Sequence, residues 1–319
     1  MIERLAVVAI GGNSLIKRRD MCTVADQYRA ICATAEHVAD LIDLGWRVVV
    51  THGNGPQVGF IMLRSEIARE VAGLHIVPLV SCVADTQGAL GYQIQQALNN
   101  TLARRCLPEI RRRVVTLITQ VCVAADDPGF ADPDKPIGEF YTSEQLPELT
   151  RLHPDWILKE DAQRGFRRVV PSPVPVEIVE LSAINALVTG GFHVVAAGGG
   201  GIPVVATERG LEGCDAVIDK DLTSSLLATA LGAELLTIST AVEQVSLNYG
   251  TPLATTLGQV SAADMERFLD QGHFAPGSMA PKIRAALNFI KGGGRRVVIT
   301  GPEHLADAIS RGVGTHIIP

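Results

Sequence analysis

Leu5-Ala6-Val7-Val8-Ala9-Ile10-Gly11-Gly12-Asn13 sets six consecutive apolar residues against a glycine turn. An apolar run of that length, bounded by a turn, reads as a strand buried on both faces, as in a parallel sheet covered by helices. Residues 24–44 follow with apolar positions at Tyr28, Ile31, Ala35, Val38 and Ile42, a helical spacing that Gly45 closes. A second short strand, residues 47–51, again runs into glycine, at Gly53-Asn54-Gly55. Beyond it the pattern predicts a helix over 86–105 and a third strand over 114–123. Further strands are expected at 193–197, 234–239 and 296–300, with helices over 222–231 and 282–291. Strands alternating with helices specify an α/β chain with a parallel or mostly parallel sheet covered on both faces.

One stretch breaks this rhythm. Residues 124–175 are rich in Pro, Asp and Arg and show little periodicity. A structureless loop of that length is unusual inside a compact domain. The segment therefore reads as an inserted subdomain or lid within a single domain spanning 1–319.

Composition removes several function classes. The chain has 319 residues with 47% hydrophobic and 19% charged content, so it can bury a sizeable core and is not intrinsically disordered. A net charge of −6 argues against a general nucleic-acid binder, and Arg111-Arg112-Arg113 reads as the solvated entry to a strand. No uncharged apolar stretch approaches the roughly 18 residues a membrane helix needs. The opening residues lack a signal-peptide layout, so a cytoplasmic location is expected. Six cysteines contain no CxxC pair; Cys32 and Cys122 read as buried thiols, and disulfides are not expected. The eight histidines form no HExxH or Cys/His cluster, so no metal held by protein side chains alone is expected. GxxxxGK[ST], GxGxxG and GxSxG are all absent.

Positive residues are unevenly divided, 22 arginines against six lysines. Lys17, Lys159 (near Asp161) and Lys291 read as solvated surface. The other three stand beside glycine or proline turns or carboxylates: Lys135-Pro136-Ile137-Gly138, Asp219-Lys220-Asp221 and Gly277-Ser278-Met279-Ala280-Pro281-Lys282. Glycine turns at the carboxyl ends of strands, here Gly11-Gly12-Asn13, Gly53-Asn54-Gly55 and Gly198-Gly199-Gly200-Gly201, let backbone N–H groups approach an anion. Lysine is a compact charge able to follow a moving phosphoryl group, whereas arginine is a planar fork. Asp221 is placed to be the N-cap of the helix beginning at Leu222; equally, the aspartates could orient lysines or help hold nucleotide-bound Mg²⁺.

Through these blocks the sequence resembles the carbamate kinases of the amino acid kinase superfamily, nearly end to end. Ala9-Ile10-Gly11-Gly12-Asn13, Thr51-His52-Gly53-Asn54-Gly55-Pro56-Gln57-Val58-Gly59 and Gly91-Tyr92-Gln93-Ile94-Gln95-Gln96 carry the likeness. So do Lys135-Pro136-Ile137-Gly138, Ala197-Gly198-Gly199-Gly200-Gly201-Ile202-Pro203, Val217-Ile218-Asp219-Lys220-Asp221 and Phe274-Ala275-Pro276-Gly277-Ser278-Met279. The resemblance implies a homodimer of three-layer αβα sandwiches with a protruding lid. It implies reversible transfer between ATP and carbamate, giving ADP and carbamoyl phosphate, with Mg²⁺ accompanying the nucleotide. Lys135, Lys220, Lys282 and Asp221 would be the catalytic set. Gly11, Gly12, Asn13, Gly53, Asn54 and Gly55 would hold substrate and phosphate; Asp219, Ala241, Val242, Tyr249, Gly277 and Met279 would hold nucleotide. The likeness leaves open a kinase of the same superfamily acting on acetylglutamate, aspartate or uridylate, and a catalytically silent nucleotide-binding paralogue. Ser14, Glu139 and Glu243 depart from the family pattern outside the catalytic set.

Overall fold

Alternate residues of a strand leave by opposite faces, and the first strand, β1 (Leu5–Ile10), needs both of its faces covered. In the computed structural model, which describes residues 4–11, 23–105, 113–161 and 165–319, it has that cover. After β1 come α1 (Val24–Asp43), β2 (Arg47–His52), α2 (Gln57–Ala72), α3 (Leu79–Arg105), β3 (Val114–Thr116) and β4 (Gln120–Val123). Next are β5 (Lys135–Tyr141), α4 (Leu146–Leu152), β6 (Ile157–Glu160), β7 (Phe166–Val170), β8 (Pro175–Ile178), α5 (Leu181–Thr189) and β9 (His193–Val195). They are followed by β10 (Ile202–Thr207), β11 (Gly210–Gly213), α6 (Lys220–Ala230), β12 (Leu235–Ser239), β13 (Ser246–Leu247) and β14 (Thr255–Thr256). The last are β15 (Gln259–Ser261), α7 (Ala262–Asp270), α8 (Met279–Lys291), β16 (Arg296–Thr300), α9 (Leu305–Ser310) and β17 (Thr315–Ile318).

The central sheet has eight strands in the order β15-β17-β16-β12-β1-β2-β9-β3. Every pairing in it is parallel except β16 with β17. Leu5 and Val7 join Val49, Leu236 and Ile238 on one face, beneath Leu227 of α6 and Ile283, Ala286 and Phe289 of α8. Ala6, Val8 and Ile10 join Val48, Val50 and Leu235 on the other, beneath Ile31 and Val38 of α1 and Leu90, Ile94 and Leu98 of α3. Three layers result, as the continuous apolar strands require. Thr23 and Asp26 form a capping box at the start of α1, satisfying backbone donors at both residues.

Two expected elements differ. The strand expected over 114–123 is two strands in different sheets: β3 joins the central sheet, and β4 pairs with β8 and β10 in the four-stranded sheet β11-β10-β4-β8. The break lies at Thr119, whose N–H donates to Gln87 Oε1 at 2.7 Å while Gln87 Nε2 donates to its carbonyl at 3.2 Å. A side chain from α3 thus takes the Thr119 N–H out of the ladder, while the Thr119 carbonyl, shared between Gln87 and Ile202 N at 2.9 Å, already belongs to the second sheet. The helix expected from 86 begins at Leu79 instead; Thr86 lies inside it, its hydroxyl donating back to the Cys82 carbonyl at 2.7 Å rather than capping a helix start. Cys32 and Cys122 are half-buried rather than buried; with Cys82 and Cys214 they are free thiols.

Residues 124–175 are built, not structureless. Their strands form the antiparallel sheet β5-β7-β6, with α4 beside it. The flanking strands β4 and β8 pair antiparallel, so the chain leaves and returns at adjacent positions. Asp127 stitches the two ends, accepting from Gly129 N at 2.7 Å and Val174 N at 3.0 Å. Against the body, α2 and β5 meet backbone to backbone: a Cβ on Gly59 would lie 2.3 Å from Gly138 Cα. The Glu66–Arg168 ion pair, 3.0 Å, ties the same helix to β7. Lys159 pairs with Asp132 at 2.7 Å; Asp161 pairs with Arg167 instead.

At the amino edge of the central sheet, arginines meet fixed partners. Arg4 stacks on Trp46 with 4.1 Å to the ring centroid. Arg47 Nη1 donates to the Gly191 carbonyl, just past the end of α5, at 2.5 Å, and lies 3.4 Å from His193 Nε2. Among the described residues, no helix is long and apolar enough to cross a membrane.

Candidate active site

The strand order sets the location. From β1 the chain moves to β2 on one side, while β12 lies on the other; ligands of open α/β sheets bind at the carboxyl edge where connections diverge in this way. Gly11 ends β1 there, so close to β12 that a Cβ would stand 2.8 Å from the Ser239 carbonyl oxygen. Gly53-Asn54-Gly55 ends β2, with Gly53 N donating to Ile10 O at 3.2 Å and α2 starting through Val58 N to Asn54 O at 2.9 Å. Gly55 is exposed and Gly53 half-buried, whereas the Asn54 side chain turns inward toward the Gly199 carbonyl at 3.5 Å. Gly12 and Asn13 lie outside the described residues.

Helices α6 and α8 aim their amino ends at the same edge. Asp219, not Asp221, is the N-cap of α6: Oδ1 accepts from Asp221 N at 2.8 Å and from Leu222 N at 3.3 Å. The helix starts two residues earlier than its apolar pattern indicated because Lys220 and Asp221 already occupy its first turn. Lys282 stands in the first turn of α8.

Three lysines from separate parts of the chain converge on the two aspartates. Lys135 Nζ, at the start of β5, pairs with Asp219 Oδ2 at 2.7 Å. Lys282 Nζ pairs with Asp221 Oδ2 at 2.7 Å, and Lys220 Nζ pairs with Asp221 Oδ1. Val217 N donates to Pro171 O at 2.9 Å, which fixes the end of β7 beside this cluster and so brings its partner strand β5 within reach. The side chain of Asp221 is 4% exposed and those of the three lysines 12–30%, so the ammonium groups stand at the mouth and the carboxylate beneath.

The charges shape one another. Burial would raise the carboxyl pKa of Asp219 and Asp221, but the adjacent lysines outweigh it and hold both below the ordinary range. Burial pushes Lys220 below the usual lysine value, helped by neighbouring Lys282 and opposed by Asp221. Lys135 is also buried, yet Asp219 raises it overall. Three ammonium groups against two carboxylates leave a local positive excess in an otherwise acidic protein.

Every oxygen of the two aspartates is engaged by a lysine or a helix N–H. Among the described residues no group of three His, Cys, Asp or Glu side chains could hold a metal ion. The donor set therefore fits lysine orientation and does not form a resident metal cage.

The remaining sequence-derived residues lie outside the ion-pair cluster. Ala241 and Val242 are in the turn after β12, and Tyr249, 74% exposed, is between β13 and β14. Gly277 and Met279 lead into α8. The four-glycine run after β9, read as a third anion turn, is instead packed shut. All four glycines are buried, and a Cβ on Gly198, Gly200 or Gly201 would lie 2.1–2.2 Å from His52, Ile218 or Val121 respectively. Sequence reading passed over two residues on this floor, Gln87 and His52. Only the position of His52 inside Thr51-His52-Gly53-Asn54-Gly55-Pro56 hinted at its place.

Comparison with known proteins identifies the family. Residues 4–301 match the amino acid kinase family model. The chain is 51% identical over 318 residues to the carbamate kinase-like protein YahI of Escherichia coli, covering 99% of each. It is 43% identical to the carbamate kinase of Pyrococcus horikoshii over the full length of both. The structure of Giardia lamblia carbamate kinase bound to AMP-PNP superposes with a TM-score of 0.89 at 38% identity, covering 99% of this chain and 98% of that one. The chain therefore belongs to the amino acid kinase family, within its carbamate kinase group, and by that membership is an ATP-dependent kinase.

Proposed function

We propose that this protein catalyses reversible phosphoryl transfer between ATP and carbamate, giving ADP and carbamoyl phosphate. The observation that carries the reading is the convergence of Lys135, Lys220 and Lys282 on Asp219 and Asp221 at two helix amino ends. A carbamate oxygen is already ionised, so the forward reaction needs no general base. It attacks the γ-phosphorus, the bond to the β,γ-bridging oxygen breaks, and ADP leaves with that electron pair. The enzyme's task is to hold two anions in line and to neutralise the charge that develops. In this reading the three lysines contact the transferring phosphoryl and the carbamate, and Asp221 holds Lys220 and Lys282. Backbone N–H groups of Gly11, Gly12, Asn13, Asn54 and Gly55 complete the cradle, and Gly53, whose N–H donates to the Ile10 carbonyl, shapes the turn that presents them. Asp219 acts toward nucleotide through Lys135, while Ala241, Val242, Tyr249, Gly277 and Met279 line the adenine side. Mg²⁺ carried in on the nucleotide would neutralise phosphate oxygens.

Residues 124–175 serve in this reading as a lid that delivers Lys135, and the working unit is a cytoplasmic homodimer. The physiological direction is toward ATP, in arginine or purine/allantoin breakdown. The deciding experiment supplies carbamoyl phosphate and MgADP to the purified protein and measures ATP. Formation above a protein-free control is expected; none, with an authentic carbamate kinase active alongside, would sink the reading.

A further inference from the structure

The Gly53–Gly55 turn rests on a layer that touches no proposed ligand. His52, at the end of β2, is fully buried, and its Nδ1–H donates to the Gly53 carbonyl at 2.8 Å. Its ring lies on the glycine run after β9, where a Cβ on Gly198 would stand 2.2 Å from Nε2. That run is itself braced: Gln87 Nε2 donates to the Gly198 carbonyl at 3.0 Å, and Ala197 N donates to Thr119 Oγ1 at 3.0 Å. Ala197 is held at φ 49, a conformation an alanine keeps only under such constraint.

His52 Nε2 is buried with no hydrogen-bond partner among the described residues. An orphaned buried acceptor is costly in a place where Phe or Leu would fill the volume. What His supplies and they do not is the Nδ1–H, which ties down the Gly53 carbonyl and so fixes the first peptide of the turn. The Thr51 and Ser224 hydroxyls, 2.6 Å apart, and Ser224 Oγ to Lys220 O at 2.5 Å join the same strand end to α6. We propose that His52 is a positioning residue for phosphoryl transfer, a neutral donor that fixes the Gly53–Gly55 turn against the lysine-bearing helix. The inference rests on the phosphoryl-transfer reading. Burial, with the charge of Lys220 adding to it, lowers the imidazole to about 4, in keeping with a ring that stays neutral at working pH.

The side-chain amide of Asn reproduces the Nδ1–H, that of Gln the Nε2 position, and Phe fills the volume with neither. In the ATP-forming assay, His52→Phe and His52→Gln should lower kcat at least ~10-fold with the KM for ADP within about twofold, since small misplacement of a reacting group is costly. His52→Asn should recover turnover to within about threefold. A merely structural role predicts that all three lose thermal stability and turnover together, with no rescue by Asn. Nitrogen NMR of histidine-labelled native protein gives an answer even where a variant fails to fold. The expected signal is an Nδ1–H tautomer that does not titrate between pH 5.5 and 8. An Nε2–H tautomer, an ordinary titration near the unperturbed histidine value, or a folded His52→Phe of native activity would overturn the proposal while the native enzyme still makes ATP. A native enzyme that makes no ATP removes the transfer reading itself, and this role with it.

Discussion

The two edges of the central sheet use positive charge in opposite ways. At the amino edge Arg47 reaches a carbonyl and a histidine, and Arg4 lies on Trp46. These are rigid scaffold groups, suited to a planar fork with fixed donors. At the carboxyl edge the charges are lysines, paired only to each other's aspartates and standing at the mouth of the site. Two buried histidines repeat the contrast. His193 receives Val48 N–H on Nδ1 at 3.1 Å and has Arg47 beside Nε2, whereas His52 has one ring nitrogen unpartnered. The amino-edge arginines rest on scaffold groups, whereas the lysines of the proposed site meet only the carboxylates that hold them at its mouth.

The sharpest way to break this comparison is at Asp221. Asp221→Asn would leave two partly buried ammonium groups facing a neutral amide, and removing one partner of a buried pair costs about 3–5 kcal/mol. Chemical denaturation should show that loss together with a fall in kcat; a stable, active variant would mean the lysines do not need their carboxylate. Next come the lysines themselves. Lys135→Ala, Lys220→Ala and Lys282→Ala should each lower kcat by at least ~10²-fold, about 2.7 kcal/mol. Normal turnover in any one would move that residue to the scaffold side of the contrast.

Acid should act on both histidines alike. His52 is held at about 4 by burial with Lys220 nearby, and His193 at about 3 by burial with Arg47 and Arg113. Both values lie below the unfolded one, near 6.5, so the unfolded chain binds more protons as pH falls through this window. Stability from these groups is complete above about pH 6.5 and is lost downward toward the folded values. Between pH 7 and pH 5 the loss should be about 2 kcal/mol from each, and His193→Gln should remove roughly half of it. Asp219 and Asp221 contribute nothing to that slope, since depressed carboxyls give up their stabilisation only below the unfolded value of about 3.9. The smallest expected effect is at Arg47→Met, which removes the donor to Gly191. About 1–2 kcal/mol should be lost with kcat within twofold of native, and a large activity loss would erase the distinction between the two edges.

The layered fold was legible because the strands at the centre of the sheet are apolar on both faces, and β1 and β2 run into glycine turns, a pattern local enough to read. The lysines were legible for a similar reason: six among 28 basic residues, three of them beside turns or carboxylates. What escaped reading depends on contacts remote in sequence. Nothing near Thr119 shows that Gln87 takes its N–H where one strand gives way to two. The glycine run at 198–201 looked like an anion turn because only the fold reveals His52, Ile218 and Val121 pressed against it. Asp219 and Asp221 flank one lysine almost symmetrically, and the pattern of apolar residues could not say which begins the helix. The three-stranded sheet within 124–175 was hidden by its half-buried strands, whose sides do not alternate cleanly.

Asp219 performs two duties with one side chain, Oδ1 closing the first turn of α6 and Oδ2 holding Lys135. That division limits how the position can drift over generations. Asn or Ser would keep the helix start, as they do at other helix starts, but would release the lysine. Glu would keep the charge on an arm too long for the turn. No exchange preserves both, so the position can change freely only in a lineage that does without the Asp219–Lys135 pair. On the proposed phosphoryl-transfer reading, an Asn or Ser aligned here in a homologue would mark a protein whose inserted segment no longer delivers a lysine to the reaction.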